Sequence, residues 1–251
     1  MLRFILVVAC LFIFSACQKK SELTESENNQ TGVLLHFSAS NGEDSIITSQ
    51  QYVNPFNEAF AVSRFRFYIH DIALISSTSG PVNSNHYLVD LVPATANNVS
   101  MSFPAGQYSG IRFTLGVDSV RNFSGAQTGV LDPANGMFWT WNSGYIMVKL
   151  EGNSSSAPTP DNKFEYHVGG YSAAESVIRK IELTFPSGTG EFAENASTTI
   201  TINADLAKWF QGDFELKIAN NPVISTPGEL AVKLANNYQH MFSVISVRNT
   251  E

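Results

Sequence analysis

Trp139 and Trp141 stand two residues apart in the run Met137-Phe138-Trp139-Thr140-Trp141-Asn142-Ser143-Gly144-Tyr145-Ile146. The run is rich in residues that suit a pleated strand, where positions i and i+2 face one side. The two indoles are therefore expected on one surface, with Trp209 far away in sequence. Such rings are costly to leave in water, so the pair is either a core wedge or a prepared site.

Histidine is the other residue type with chemistry to offer. The chain has His36, His70, His86, His167 and His240. None stands two or four residues from another, so no single element carries a metal clip such as His-Glu-x-x-His. Any ligand set has to be assembled across strands. A lone histidine is ordinarily a surface or satisfied polar residue. His167 stands apart because it lies in Phe164-Glu165-Tyr166-His167-Val168-Gly169-Gly170, where a strand meets a glycine pair. Glycines there permit close backbone approach or a bulge, and bulges aim side chains at sites. The plainer reading is a strand end with a convenient turn. His240 follows a predicted helix, where a cation near the C-terminus is the ordinary explanation. His36 alternates with Leu35 and Phe37 and is expected to face solvent.

Other chemistries find little support. There is no Gly-x-Ser-x-Gly elbow for a nucleophile. Gly169-Gly170 lacks the spacing of a phosphate loop. Asp132-Pro133-Ala134-Asn135-Gly136 has oxygens at calcium-loop spacing, but Asp-Pro and Asn-Gly form turns first, and the turn is favoured. No carboxylate pair suggests general acid and base. With no catalytic set, a non-enzyme is expected.

The positions of the two cysteines, Cys10 and Cys17, say where the chain goes. Arg3 followed by the apolar run Phe4 to Phe14 is a sorting signal, too short for a permanent span. It ends in Phe14-Ser15-Ala16-Cys17, which resembles a bacterial lipobox and implies cleavage before Cys17 and lipidation of its thiol. Residues 1–16 are thus expected as signal peptide. Residues 17–31 are polar enough to be a flexible tether, and residues 32–251 to be the folded body. The expected location is the cell envelope, lipid-anchored at the outer membrane and facing the periplasm. The body then has no disulfide and no thiolate, so a metal there must use histidine, methionine or carboxylate. A net charge of -7 and the lack of a basic stripe argue against nucleic acid.

The elements that must position these groups are mostly strands. Candidates are 33–37, 60–75, 86–92, 99–103, 108–117, 145–150, 164–168, 178–185 and 198–203, many bounded by Gly, Pro, Asn or Ser. Helical signals come late, at 205–210 and from Pro227 to about Asn237. About 220 residues suffice for one all-β domain, a β-sandwich with one or two short helices near the C-terminus.

Several segments follow one another in order: Phe67-Tyr68-Ile69 with Asp71-Ile72-Ala73-Leu74, Pro104-Ala105-Gly106-Gln107-Tyr108, Leu115-Gly116-Val117-Asp118, the stretch from Gly136 to Tyr145, and Tyr166-His167-Val168-Gly169. Together they resemble the MbnP-like copper-binding family, the methanobactin-associated periplasmic proteins. The resemblance implies a β-rich periplasmic copper binder in which a partner di-haem peroxidase-like enzyme oxidises a Trp to kynurenine. It carries over Trp139 and Trp141 as candidates for oxidation and His167 as an imidazole ligand. Ring opening would turn a poor ligand into one with an aniline nitrogen and a ketone, and imidazole and thioether both suit copper. Relatives often carry Asn-His after the Leu-Gly-Val element; here Asn122-Phe123 stands there. His36 or His240 would have to compensate, with Met137, Met147 or Met241 as thioethers. Paired cysteines of relatives are also missing. The alternatives are a non-metal binding module with an aromatic surface, and a structural envelope protein whose Trp pair is only core.

Overall fold

The computed structural model describes residues 29–141 and 144–250. The sorting signal, Cys17 and nearly all of the expected tether lie outside the described residues. The first strand, Gln30–Asn41, already takes in Gln30 and Thr31, so the folded body begins two residues before the expected boundary. Thr31 is buried between its neighbours, which ties this end down.

Two sheets face each other, as expected for an all-β sandwich. In the smaller, Gln30–Asn41 lies parallel to Ser197–Asp205 and antiparallel to Asn98–Pro104, with Phe242–Thr250 outside Ser197–Asp205. Gln30–Asn41 buries alternate residues, including Val33, Leu35 and Phe37, as a strand with one face on the core must. In the larger sheet the long strand Ala59–Ile75 pairs with Tyr87–Val92 on one edge. On its other edge it pairs with Gly144–Asn153 and then Gly110–Leu115. Lys163–Gly169 continues beyond Gly144–Asn153, and Arg179–Thr184 beyond Gly110–Leu115.

Aromatic rings fill the space between the sheets. Phe37 meets Phe67 and Phe113 edge-on, with centroids 5.7 and 6.2 Å apart, and Phe242 meets Phe67 and Phe113 at 5.4 and 5.5 Å. Each such pair adds about 0.5–1.5 kcal/mol beyond its area burial. Trp209 is fully buried at one end, stacked on Tyr238 at 5.6 Å. It sits on the helix Leu206–Phe210, whose N-cap Asp205 accepts a hydrogen bond from Ala207 N–H. This helix and Glu229–Tyr238 match the two expected near the C-terminus. The strand Phe242–Thr250 and the short helix Ser119–Phe123 were not expected from the sequence. Among the described residues, no helix is long and apolar enough to cross a membrane.

The Trp ribbon departs from the expected strand. Phe138–Trp139 is a two-residue strand paired with Gly144 and Tyr145, and the chain reverses at Thr140 and Trp141. The reversal ends the two-residue period, so the indoles do not share one face in the same way. Trp139 is 6 % exposed and Trp141 63 %, although the rings still meet at 5.6 Å. The Asp132 segment is a turn as favoured: Asp132 Oδ1 accepts from Ala134 N–H, and Gly136 takes the left-handed conformation.

Candidate metal centre

His70 and His86 meet through strand register, although sixteen positions separate them. Antiparallel pairing sets Ile69 opposite Tyr87, so the residue after one lies beside the residue before the other. Their rings stack with centroids 4.4 Å apart and planes 21° from parallel. On the other edge of the same strand, the register with Gly110–Leu115 shifts between His70 and Ala73. Asp71, at φ +49°, is at the centre of that irregularity. The bulge keeps His70 buried while leaving Asp71 exposed, the re-aiming that bulges produce.

Asp118 arrives from a third element. Leu115 ends its strand opposite Ile69, and Gly116 turns the chain at φ +119°, donating its N–H to the Tyr68 carbonyl at 2.8 Å. Asp118 then caps the helix Ser119–Phe123, with Oδ1 accepting from Arg121 N–H at 2.9 Å. Asn122 is buried and locks this turn. Its Nδ2 donates to the Val117 and Asp118 carbonyls at 2.7 and 3.0 Å, and its Oδ1 accepts from Tyr145 N–H at 3.0 Å. Met147 Sδ accepts from Val117 N–H at 3.1 Å on the same corner.

One ring nitrogen from each imidazole and a carboxylate oxygen of Asp118 lie within 4.8 Å of one another. The His70 and His86 side chains are 5 % and 4 % exposed. Nε2 of each is buried without a hydrogen-bond partner. His86 Nε2 lies 3.3 Å from Asp118 Oδ2 but without hydrogen-bond alignment. Orphaned buried nitrogens are rare and costly, so two on stacked rings call for an explanation. His70 Nδ1 lies 3.1 Å from Asp71 Oδ2. A proton on Nδ1 serves that contact and leaves the Nε2 lone pair free, the arrangement in which a carboxylate orients a metal-binding imidazole.

Electrostatics favour neutral rings beside an ionised carboxylate. Burial pushes His86 down to about 4, aided by His70 and Arg121 and opposed by Asp118 and Asp71. Burial lowers His70 too, against the pull of Asp71 and Asp118. Burial raises the Asp118 carboxyl, but the hydrogen bonds and charge of Arg121 outweigh this and hold it below its ordinary value. Two neutral imidazoles and one carboxylate are a donor set for a borderline cation such as Cu(II) or Zn(II). His86 also lines an open cleft of about 440 Å³ with Tyr87, Arg121 and Gln127.

The residues singled out from sequence lie elsewhere. His167 Nε2 is 2.7 Å from Glu151 Oε1, so this imidazole nitrogen already has a carboxylate partner. Glu151 also lies 3.5 Å from both Lys149 Nζ and Arg64 Nε. Lys149 donates to the Gly136 carbonyl at 2.6 Å, and Arg66, paired with Asp90 at 2.7 Å, donates to the Asn135 carbonyl. This charged network thus anchors the turn just ahead of the Trp ribbon. Trp139 packs over Gly169. His36 lies in the other sheet with Nδ1 2.9 Å from Asn98 Oδ1, and His240 is exposed beyond the helix Glu229–Tyr238. Met137 and Met241 are wholly buried. Phe123, where the resemblance expects an imidazole, is 85 % exposed.

A family model described as MbnP matches residues 30–227, most of the described body. The chain belongs to the MbnP family. Its fold is similar to that of MbnP from Methylosinus trichosporium, with a TM-score of 0.56 over 88 % of this chain and 99 % of that one, at 16 % identity. At that identity the likeness concerns the fold alone. No curated protein matches the sequence. The MbnP match spans the long strand, the Asp118 corner, the Trp ribbon and His167, and stops before the helix Glu229–Tyr238.

Proposed function

We propose that this MbnP-family chain is a copper-binding protein of the bacterial cell envelope, a binder and not an enzyme. It would be anchored by lipid on Cys17, at the outer membrane facing the periplasm, for copper uptake, storage or delivery. His70, His86 and Asp118 are the proposed ligands. The observation that carries the reading is a stacked pair of buried imidazoles, neither Nε2 hydrogen-bonded, with one nitrogen of each within 4.8 Å of an Asp118 oxygen. His167, committed to Glu151, then acts in the scaffold.

The family resemblance adds oxidation of a tryptophan by a di-haem peroxidase-like partner. Trp141 is the indole a partner enzyme can reach, since Trp139 is buried beneath it. Two equivalents of hydrogen peroxide, the oxidant of a peroxidase-like enzyme, would cleave the indole C2–C3 bond, leaving two oxygens on the ring-opened product and two as water. Hydrolysis of the resulting N-formyl group by one water then releases formate and yields kynurenine. The net change is one oxygen gained and one carbon lost. A second reading, an aromatic binding surface without metal, is favoured by the exposed Trp141 and by a cavity of about 210 Å³ between Trp139, Tyr171 and Glu175.

The test uses protein from its own host. Metal analysis is expected to find copper, lost in His70→Ala and His86→Ala. Mass spectrometry of the peptide carrying Trp139 and Trp141 is expected to show the kynurenine mass change. Copper retained in both histidine variants overturns the ligand assignment. An unmodified peptide in a metal-free protein favours the aromatic surface.

A further inference from the structure

The Asp118 carboxylate is already occupied by a cation of the protein's own. Arg121 Nη1 lies 2.7 Å from Asp118 Oδ2, the oxygen that also stands 3.3 Å from His86 Nε2. The other oxygen accepts the Arg121 backbone N–H. A metal gathering His70, His86 and Asp118 therefore has to share the carboxylate with the guanidinium, whose positive charge opposes its own. The Arg121 side chain is about half exposed and lines the open cleft beside His86, so it has room to swing clear. Its charge acts on both imidazoles.

Resting on the metal centre proposed above, we infer that Arg121 is a resident cation that competes with the metal for Asp118 and so sets affinity and charge preference. With the site empty, the guanidinium neutralises Asp118 and holds it at the mouth of the site. When a cation enters through the cleft, Arg121 gives up Oδ2 and turns outward. Its remaining charge still repels the bound ion, twice as strongly for Cu(II) as for Cu(I) at the same distance. The centre thereby gives up affinity, a property suited to an ion that must be released again.

The experiment is competitive titration of Cu(I) and Cu(II) into wild type, Arg121→Gln, Arg121→Lys, His70→Ala and His86→Ala, with melting curves to check folding. Arg121→Gln is expected to bind Cu(II) about tenfold more tightly than wild type, and Cu(I) only about threefold. The gain is expected to shrink as salt rises from about 0.05 to 0.5 M, since an exposed charge is screened. Arg121→Lys, which keeps the charge, is expected to stay within about threefold of wild type. A purely structural role for Arg121 would give neither the Cu(I)/Cu(II) difference nor the salt dependence. Equal or weaker binding by Arg121→Gln, while the histidine variants lose copper, overturns the competition and leaves the metal centre standing. Histidine variants that bind as well as wild type overturn both.

Discussion

The His86 ring lies flat against the His70 ring at 4.4 Å, buried, with neither Nε2 hydrogen-bonded. Folding alone gains little from this arrangement. Two ring nitrogens are desolvated without a hydrogen bond, a cost of about 1–3 kcal/mol each. Sites that give up stability in this way are commonly functional.

His86→Phe tests that trade directly. Phenylalanine keeps a flat ring for the stack and removes an orphaned nitrogen. The metal-free variant is expected to melt no lower than wild type, with a gain of up to about 1 kcal/mol. Copper uptake is expected to be lost. Thermal melting and metal titration of the same sample give both readouts, and a variant that is destabilised yet still takes copper contradicts the assignment.

Glu151 sets the acid limb of stability. The hydrogen bond to His167 comes first in holding its carboxyl down to about 2, with Lys149 and Arg64 helping against burial. The folded carboxyl is thus depressed below its unfolded value of about 4.3, and the unfolded chain takes the proton first. The contribution is present at neutral pH, declines below about pH 4.5 and is gone near pH 2. The side chain is 25 % exposed, so a figure on the order of 2 kcal/mol is reasonable. Glu151→Gln is expected to be less stable than wild type by about that amount at pH 7, with the gap closing on acidification. Urea unfolding across that range measures it; a gap that widens in acid would contradict the sign.

Gly169 is required by the indole above it. A Cβ built there would stand 2.5 Å from Trp139 Cζ3 and 2.7 Å from the Tyr145 carbonyl. One neighbour is a ring wedged into the core and the other is backbone, so neither yields easily. Gly169→Ala is expected to cost about 2–3 kcal/mol by overpacking. It should also shift Trp fluorescence as Trp139 is displaced. An unchanged melting temperature and emission maximum would show that the contact relaxes freely.

The period-two runs of aromatic and β-branched residues made most strands legible, and Asp205 and Gly228 marked the late helices. The last strand escaped because Phe242 to Thr250 mixes polar residues into an edge position, where alternation carries less weight. The metal centre was not legible for a physical reason. His70 and His86 are neighbours only once Ile69 is set opposite Tyr87, and Asp118 joins only after Gly116 turns the chain. Spacing within one element cannot reveal a set built by register, a bulge and a helix cap. His167 drew notice for its glycine pair, and those glycines turn out to serve Trp139 and the backbone around Glu175.

The two indoles of the ribbon should separate cleanly in their effects on folding. Trp139 is buried against Gly169, so Trp139→Ala removes a large core ring and is expected to cost about 3–5 kcal/mol. Trp141 offers most of its ring to solvent and touches the fold through Trp139 at 5.6 Å. Trp141→Ala is therefore expected to cost no more than about 1 kcal/mol. If Trp141 is the oxidised residue, that variant made in the native host loses the kynurenine mass change while staying folded. If the mass change persists on Trp139, the buried indole is reached by local opening, and the accessibility argument for Trp141 fails. Chemical unfolding and peptide mass spectrometry on the two variants decide between these outcomes.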